Sequence, residues 1–311
     1  MEKTTGIEIL LFLFLTGNVI AQQDPNYSQY MFNQLAINPA YAGINDVICL
    51  NGAYRNQWMN ITGAPQTFIF NANAPVKPFG INSGVGLSVL SDNLGFQKNI
   101  GFNADYSYKL DLRKGKLGIG VNLGFLNSKF QATWVTPQTP ESGDVLIPGT
   151  NESAFGFDLG FGVYYKNDDL YMGISTAHVL QPQIKFQKGY VQLPRQYNVL
   201  AGYRFVLPNP LIELRPSAYL ETDGKLYNLT LNTNVVYNKR FWGGVSYRAG
   251  DAFIALLGVE LFNGLKVGCS YDFGTSDLRH YSSGTTEIVL GYCFNVKVEK
   301  TPQKYKSVRI L

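Results

Sequence analysis

Histidine is nearly absent from this chain, with 2 in 311 residues, and cysteine and tryptophan number 3 each. A metal centre built on imidazole or thiolate, or a Ser-His-Asp triad, has few residues to draw on. Charge is scarce as well. Asp, Glu, Lys and Arg make up 15%, well under the roughly 25% usual in soluble globular chains. The formal net charge of +4 is too small to mark a nucleic-acid partner. Three cysteines do not make a disulfide scaffold. No later segment reaches the ~18 consecutive apolar residues that predict a transmembrane helix. What the chain does hold is 32 Gly, 20 Tyr and 20 Phe, an aromatic share of 14%. That excludes disorder and points to a β protein.

The N-terminus sets the compartment. Lys3 gives a weak positive start, and Ile9 to Leu15 is an unbroken apolar run. Val19-Ile20-Ala21 then places compact residues before a cut. This reads as a secretory signal peptide over 1–21, cleaved after Ala21. The run is too short to span a bilayer, which takes about 20 residues. The protein is expected to leave the cytoplasm.

From about residue 46 to 294 the hydrophobic pattern has period 2. Leu265, Val267, Cys269, Tyr271 and Phe273 alternate with Lys266, Gly268, Ser270 and Asp272. Phe155, Phe157, Leu159, Phe161, Val163 and Tyr165 form another apolar row, opposite Asp158, Gly160, Gly162 and Lys166. Ile100, Phe102, Ala104, Tyr106 and Tyr108 stand against Asn103, Asp105, Ser107 and Lys109. Segments of about 10 residues that alternate in this way, with aromatics near their ends, predict strands of a transmembrane barrel. A soluble sandwich also alternates but carries Lys and Glu on its outer face. Here the polar rows are Gly, Ser, Asn and scattered charge.

Fourteen strands fit the pattern, near 46–58, 64–75, 80–92, 95–112, 115–128, 153–167, 169–178, 195–207, 211–222, 226–238, 240–249, 252–262, 264–273 and 285–294. The fold class is therefore all-β, an antiparallel barrel with an even strand number. The long connections, 129–152, 179–194 and 274–284, all follow odd strands. Connections after even strands are short. With the N-terminus in the periplasm, this puts long loops outside and tight turns inside.

Two regions fall outside the alternation. Residues 22–45 contain Asp24, Pro25, Tyr27, Ser28, Gln29, Tyr30, Phe32 and Asn33, and 27–35 is compatible with a short helix. Asn38, Pro39 and Tyr41 belong to a following turn. The segment is either a plug packed in the barrel or a docking surface for a periplasmic partner. Residues 295–311 form a basic tail with Lys297, Lys300, Lys304, Lys306 and Arg309 against one Glu299. It holds most of the net charge. It is either solvated or in contact with an acidic periplasmic partner.

No catalytic set is visible. His178 and His280 lie near the expected outer loops, without metal-like spacing or an evident Ser and Asp beside them. Cys49, Cys269 and Cys293 show no paired motif, and Cys269 sits in an apolar row. Gly118-Ile119-Gly120 is no phosphate loop, since no lysine and helix follow. No cofactor is expected. By the strand register, Arg55, Asp105, Lys109, Asp158, Arg204, Glu213, Arg215, Glu221, Arg248, Glu260, Lys266, Asp272 and Glu287 face the lumen. Both signs occur. Structural ion pairs account for such a mixture, whereas a selective pore more often shows one sign.

The stretch Asp24-Pro25-Asn26-Tyr27-Ser28-Gln29-Tyr30-Met31-Phe32-Asn33-Gln34, followed by Asn38-Pro39-Ala40-Tyr41-Ala42-Gly43, resembles the start of the mature PorP/SprF family of the type IX secretion system in Bacteroidota. Tyr54-Arg55-Asn56-Gln57-Trp58, Gly63-Ala64-Pro65-Gln66-Thr67, Asn93-Leu94-Gly95 and Asn238-Lys239-Arg240-Phe241-Trp242 extend the likeness. So do Tyr247-Arg248-Ala249-Gly250-Asp251-Ala252, Tyr271-Asp272, Thr275-Ser276-Asp277-Leu278, Tyr281-Ser282-Ser283-Gly284 and Glu287. The resemblance implies a barrel in the outer membrane, in contact with its lipid. It implies partners among other type IX components, and secreted cargo with C-terminal sorting domains. SprF-type members also serve gliding motility. A second reading stands beside it. Barrels of the fatty-acid-transporter kind also open on an Asn-Pro-Ala segment like Asn38-Pro39-Ala40, which would make this a channel for a small solute. A soluble periplasmic β protein is a third reading.

Overall fold

The computed structural model describes residues 24–131, 151–187, 189–261 and 264–294. The expected signal peptide, the basic tail with Lys297, Lys300, Lys304, Lys306 and Arg309, and most of the 129–152 connection lie outside the described residues. The strands are β1 (Ile48–Asn56), β2 (Gln66–Val76), β3 (Ser83–Leu94), β4 (Gln97–Leu112), β5 (Gly115–Phe130), β6 (Glu152–Lys166), β7 (Leu170–Ala177), β8 (Gln183–Phe186) and β9 (Gly189–Gln192). They continue with β10 (Gln196–Tyr203), β11 (Phe205–Val206), β12 (Ile212–Thr222), β13 (Tyr227–Tyr237), β14 (Phe241–Arg248), β15 (Ala252–Glu260), β16 (Leu265–Gly274) and β17 (Thr285–Phe294).

All pairings are antiparallel. β1 pairs with both β2 and β17, and β10 pairs with both β7 and β12, so the sheet closes on itself. β11 continues β10 past Arg204 along the same partner, β12. β8 and β9 form a separate hairpin. The wall is therefore a closed barrel of fourteen strands, with no edge left to pair.

Alternation decides which way each side chain points. Phe68, Phe70, Val85, Leu87, Val89, Phe102, Phe157, Ile174, Val245, Leu257 and Ile288 point outward and are exposed. An apolar surface of this extent around a whole wall is stable against lipid, not water. No helix among the described residues is long and apolar enough to cross a membrane; the crossing is made by strands. Inward positions carry Ser, Asn, Gly and the buried charges.

Two features depart from the sequence reading. The 179–194 connection is not a plain loop, because it holds the β8–β9 hairpin. Ile184 of that hairpin is buried over Gly156, an inward position of β6, and Phe186 packs on Phe130 at 4.8 Å between ring centroids. Strands of four residues are too short to register in a hydrophobic pattern. The second correction concerns cysteine. Cys49 and Cys293 are joined in a disulfide across the β1–β17 seam, where they are direct register partners. They are 244 residues apart in sequence, so only barrel closure brings them together. Cys269 is free and exposed on the outer face.

Candidate functional site: the occupied lumen

Residues 24–46 run down the inside of the barrel. Asp24 lies beside His178, just past the end of β7, at the end that carries the long connections. Asp46 lies beside Lys109 and Lys116, near the β4–β5 turn at the other end. Between them are a 3₁₀ turn at Tyr30–Phe32, a one-turn α-helix at Gln34–Ile37 and a 3₁₀ turn at Pro39–Tyr41. Asn38 caps the last of these: its side chain accepts from the Ala40 amide, and Pro39 supplies a preset φ at the first position. The turns are short because they are held by the wall rather than by their own length.

The upper part of the segment is clamped by buried charge. Arg55 donates to Asp272 at 3.0 Å and to Glu287 at 3.2 Å, and Arg248 donates to Asp272 at 3.2 Å. These four side chains are 1–3% exposed. Ser28 sits among them, fully buried. Its hydroxyl donates to Asp272 at 2.7 Å and accepts from Arg55 at 2.6 Å and Arg248 at 3.2 Å. The backbone amides of Ser28 and Gln29 each donate to one oxygen of Glu287 at 2.8 Å. Two cations, two anions and a hydroxyl thus pair with one another, as charges taken out of water must, with only the Nε of Arg55 and of Arg248 left without a partner in the cluster. Below, the Tyr30 hydroxyl bonds Ser217 at 2.7 Å and its ring stacks on Tyr219 at 5.2 Å, while Phe32 packs on Trp242 at 5.1 Å. Asn33 bonds Asn71, and Gln34 accepts from the Tyr164 hydroxyl.

The lower part rests on glycine. A Cβ on Gly84 would run into the Ala42 carbonyl, and one on Gly120 would run into the backbone of Pro39 and Ala40. Gly118 faces the Ala40 carbonyl and Gly162 the Asn38 side chain in the same way. Backbone therefore lies directly on backbone at β3 and β5, and the Asn38 side chain on backbone at β6, which only glycine permits. Asn38 donates to the carbonyls of Val163 and Ile174 at 3.0 and 3.1 Å, Ser107 donates to the Ala40 carbonyl at 3.1 Å, and Lys109 to the Gly43 carbonyl at 2.9 Å. The segment's polar backbone is satisfied by the wall, as burial requires.

His178 adds a tether at the upper rim. Its Nε2 lies 3.1 Å from Asp24 and its Nδ1 2.9 Å from Asp158. Burial alone would push the imidazole pKa down, but the Asp24 charge and the hydrogen bonds to Asp158 and Asp24 outweigh it and raise it to about 10. Asp24 in turn is held below the usual carboxylate range: burial opposes this, and the His178 charge and hydrogen bond overcome it.

Pro25, Asn38, Pro39 and Tyr41 lie in the lumen with the rest of the 24–43 motif. Of the residues assigned to the lumen, Arg55, Asp105, Lys109, Glu213, Glu221, Arg248, Asp272 and Glu287 are buried inside the wall. Asp158 is nearly so. Arg204, Arg215, Glu260 and Lys266 are not deep. They sit at the short-turn rim, part-exposed, where Arg204 bridges Asp169 and Glu213, Arg215 pairs with Glu213, and Lys266 lies 3.7 Å from Glu260. Register alone gives a side but not a depth. The sequence reading missed His178, whose carboxylate partners are 154 and 20 residues away. It also missed the glycine floor. The signal for the floor was present: Gly84, Gly118, Gly120 and Gly162 all fall on the polar rows.

The sequence model of the family described as type IX secretion system membrane protein PorP/SprF matches residues 19–292. Comparison with curated proteins gives no match. Among solved structures, the Ralstonia pickettii toluene transporter TbuX is similar with a TM-score of 0.51 and 10% identity, over 86% of this chain and 94% of that one. That likeness concerns the barrel fold. The Acinetobacter baumannii outer membrane protein Omp33 aligns with a TM-score of 0.45 and 9% identity, over 80% of this chain and 98% of its own. A fourteen-stranded outer-membrane wall, with the Asp24–Gly43 motif seated inside it and a family match over nearly the whole chain, leads to one assignment: this protein belongs to the PorP/SprF family of type IX secretion system membrane proteins.

Proposed function

We propose that the protein is an accessory component of type IX secretion that binds or anchors secreted cargo, or other subunits of the machine, at the outer membrane. It does no chemistry and uses no cofactor. The observation that carries this reading is the occupied lumen. Residues 24–46 are fixed to the wall from one rim to the other by a buried ion cluster, a glycine floor and matched hydrogen bonds. A barrel filled along its axis offers its rims and loops to partners rather than a wide conduit to a solute. The mature N-terminal segment acts as a plug, and the long connections and the 295–311 tail are the contact surfaces. Secreted proteins with C-terminal sorting domains are the expected cargo, and surface adhesins of gliding are one class of them.

The rival reading, a channel for a small solute, draws on a cavity of about 220 Å³ beside the plug and on the barrel likeness to TbuX. The cavity is lined by five carboxylates as well as by apolar side chains such as Leu35, Ile69 and Leu90, so it favours a solute that carries a polar or cationic group. Two assays separate the readings. Affinity capture of the tagged chain from outer membranes recovers type IX subunits or cargo under the secretion reading. Liposomes containing the purified chain then show no specific solute flux. Specific flux without captured components supports the channel.

A further inference from the structure

One side of the lumen is unfilled. Between residues 24–39 and the inner wall of β2 to β7, with β10 and β12 completing it, lies the cavity of about 220 Å³. Its lining includes Asp24, Asp92, Asp105, Asp158 and Glu221, with His178 as its one cationic side chain and no Lys or Arg. His178 serves Asp24 and Asp158. The other three carboxylates meet neutral donors only. Thr67 donates to Asp92 at 2.6 Å, Asn122 to Asp105 at 2.7 Å, and Asn26 at 3.2 Å and Gln196 to Glu221. Asp105 and Glu221 are 5% and 6% exposed. A buried carboxylate calls for a cation; the Arg248 charge reaches Glu221 from outside the lining, while Asp92 and Asp105 have none.

A second observation is independent of that charge count. Ser88, 2% exposed, lines the cavity with a hydroxyl that has no hydrogen-bond partner. Asp105 Oδ2 is buried and unpartnered in the same lining. Gly86 is the register partner of Asp105, and Ser88 of Asn103, so Ser88 and Asp105 are diagonal neighbours on one inner face. An unpartnered hydroxyl and an unpartnered carboxylate oxygen on one inner face, beside the alkyl surface of Leu35, Ile69 and Leu90, describe a site for a polar cationic head on a short apolar stem. Among the described residues, no three His, Cys, Asp or Glu side chains converge as metal ligands would.

We propose that this cavity binds a primary ammonium or guanidinium group on an alkyl stem, from a free organic amine or from a Lys or Arg side chain of a peptide. Asp105 takes the charge and Ser88 accepts a hydrogen bond from it. The volume, below the roughly 300–1,000 Å³ of drug-sized pockets, fits one such group. The inference does not depend on the secretion reading, and either can fail alone.

The test is isothermal titration calorimetry on the full chain in detergent micelles, with agmatine, with N-acetyl-Gly-Arg-Gly-amide, and with butyrate as the anionic control. The expected result is saturable binding of agmatine and none of butyrate, with affinity at least tenfold weaker in Asp105→Asn and about threefold weaker in Ser88→Ala. Binding of the peptide as well assigns the site to basic side chains; binding of agmatine alone assigns it to free amines. Heat-modifiable gel mobility checks that Asp105→Asn folds. If it does not, Ser88→Ala, which removes one hydroxyl, decides. No saturable binding of either cation, or unchanged affinity in the folded variants, overturns the proposal.

Discussion

Arg55 and Asp272 meet at 3.0 Å inside the barrel although 217 residues separate them in sequence. Their contact spans β1, β17 and β16, and Ser28 of the N-terminal segment is bonded to both. The wall and its occupant thus share one buried ion cluster, and neither is complete alone. Removing one charge leaves its partner buried and uncompensated, a loss of about 3–5 kcal/mol. Arg55→Gln should lower resistance to denaturant by that order, read from the unfolding midpoint on heat-modifiable gels. Arg55→Gln combined with Glu287→Gln should recover part of the loss, because the charges left behind balance. Additive losses would mean that the two residues do not act as a unit.

The glycine floor makes a steric prediction. Gly120→Val adds three carbons where the backbone of Pro39 and Ala40 already lies, so residues 38–43 must leave the wall. The barrel itself should still form, since strand pairing does not involve that face. The expected outcome is a normally inserted barrel in which, with Cys269→Ser to remove the exposed thiol, a cysteine introduced at the buried Ala42 becomes reactive to a polar maleimide. Continued protection of that thiol would contradict direct backbone-on-backbone seating.

The His178 tether has a pH window. The imidazole pKa is raised from an unfolded value near 6.5 to about 10, so its contribution is full below pH 6.5 and is lost as pH rises through about 10. Asp24 is lowered from 3.8, so its contribution is full above that value and is lost as pH falls through the depressed one. The tether therefore holds at neutral pH and releases at both extremes. A spin label at Asn26 should report low mobility near pH 7 and higher mobility above pH 10. His178→Ala should show the mobile spectrum at every pH. A flat profile in the unsubstituted chain would refute the tether.

The disulfide closes the seam between the first and last wall strands. Closing so long a loop stabilises by about 5 kcal/mol in the chain-entropy account. The variant Cys49→Ser with Cys293→Ser should fold, with a lower denaturation midpoint and no mobility change on reduction. Cys269→Ser should behave as the unsubstituted chain does, because that thiol is free on the outer face.

Much of the wall was legible in the sequence, and much of the site was not. Period-2 alternation reports which side of a sheet a residue faces, so rows such as Phe155 to Val163 and the inward places of Arg55, Asp105 and Asp272 could be read directly. Strand ends moved by only a few residues, because Leu207-Pro208-Asn209-Pro210 and similar turn clusters mark them chemically. Alternation carries no depth, so Arg204 at the rim and Arg248 in the core look alike. It also carries no pairing across the closed barrel. The Cys49–Cys293 bond, the His178–Asp24 contact and the seating of Ala40 on Gly118 and Gly120 depend on closure, which is a property of the whole sheet. The Asp24–Gly43 motif announced itself by composition and resemblance, but its path down the lumen is set by partners that local patterning does not reveal.

The central claim is that this PorP/SprF-family barrel serves the export or surface retention of particular proteins. Comparing the surface proteome of cells with and without the gene tests it most directly. The account predicts that one or a few proteins with C-terminal sorting domains disappear from the surface, and that restoring the unsubstituted chain returns them. An unchanged surface proteome, together with loss of uptake of a small solute, would contradict it.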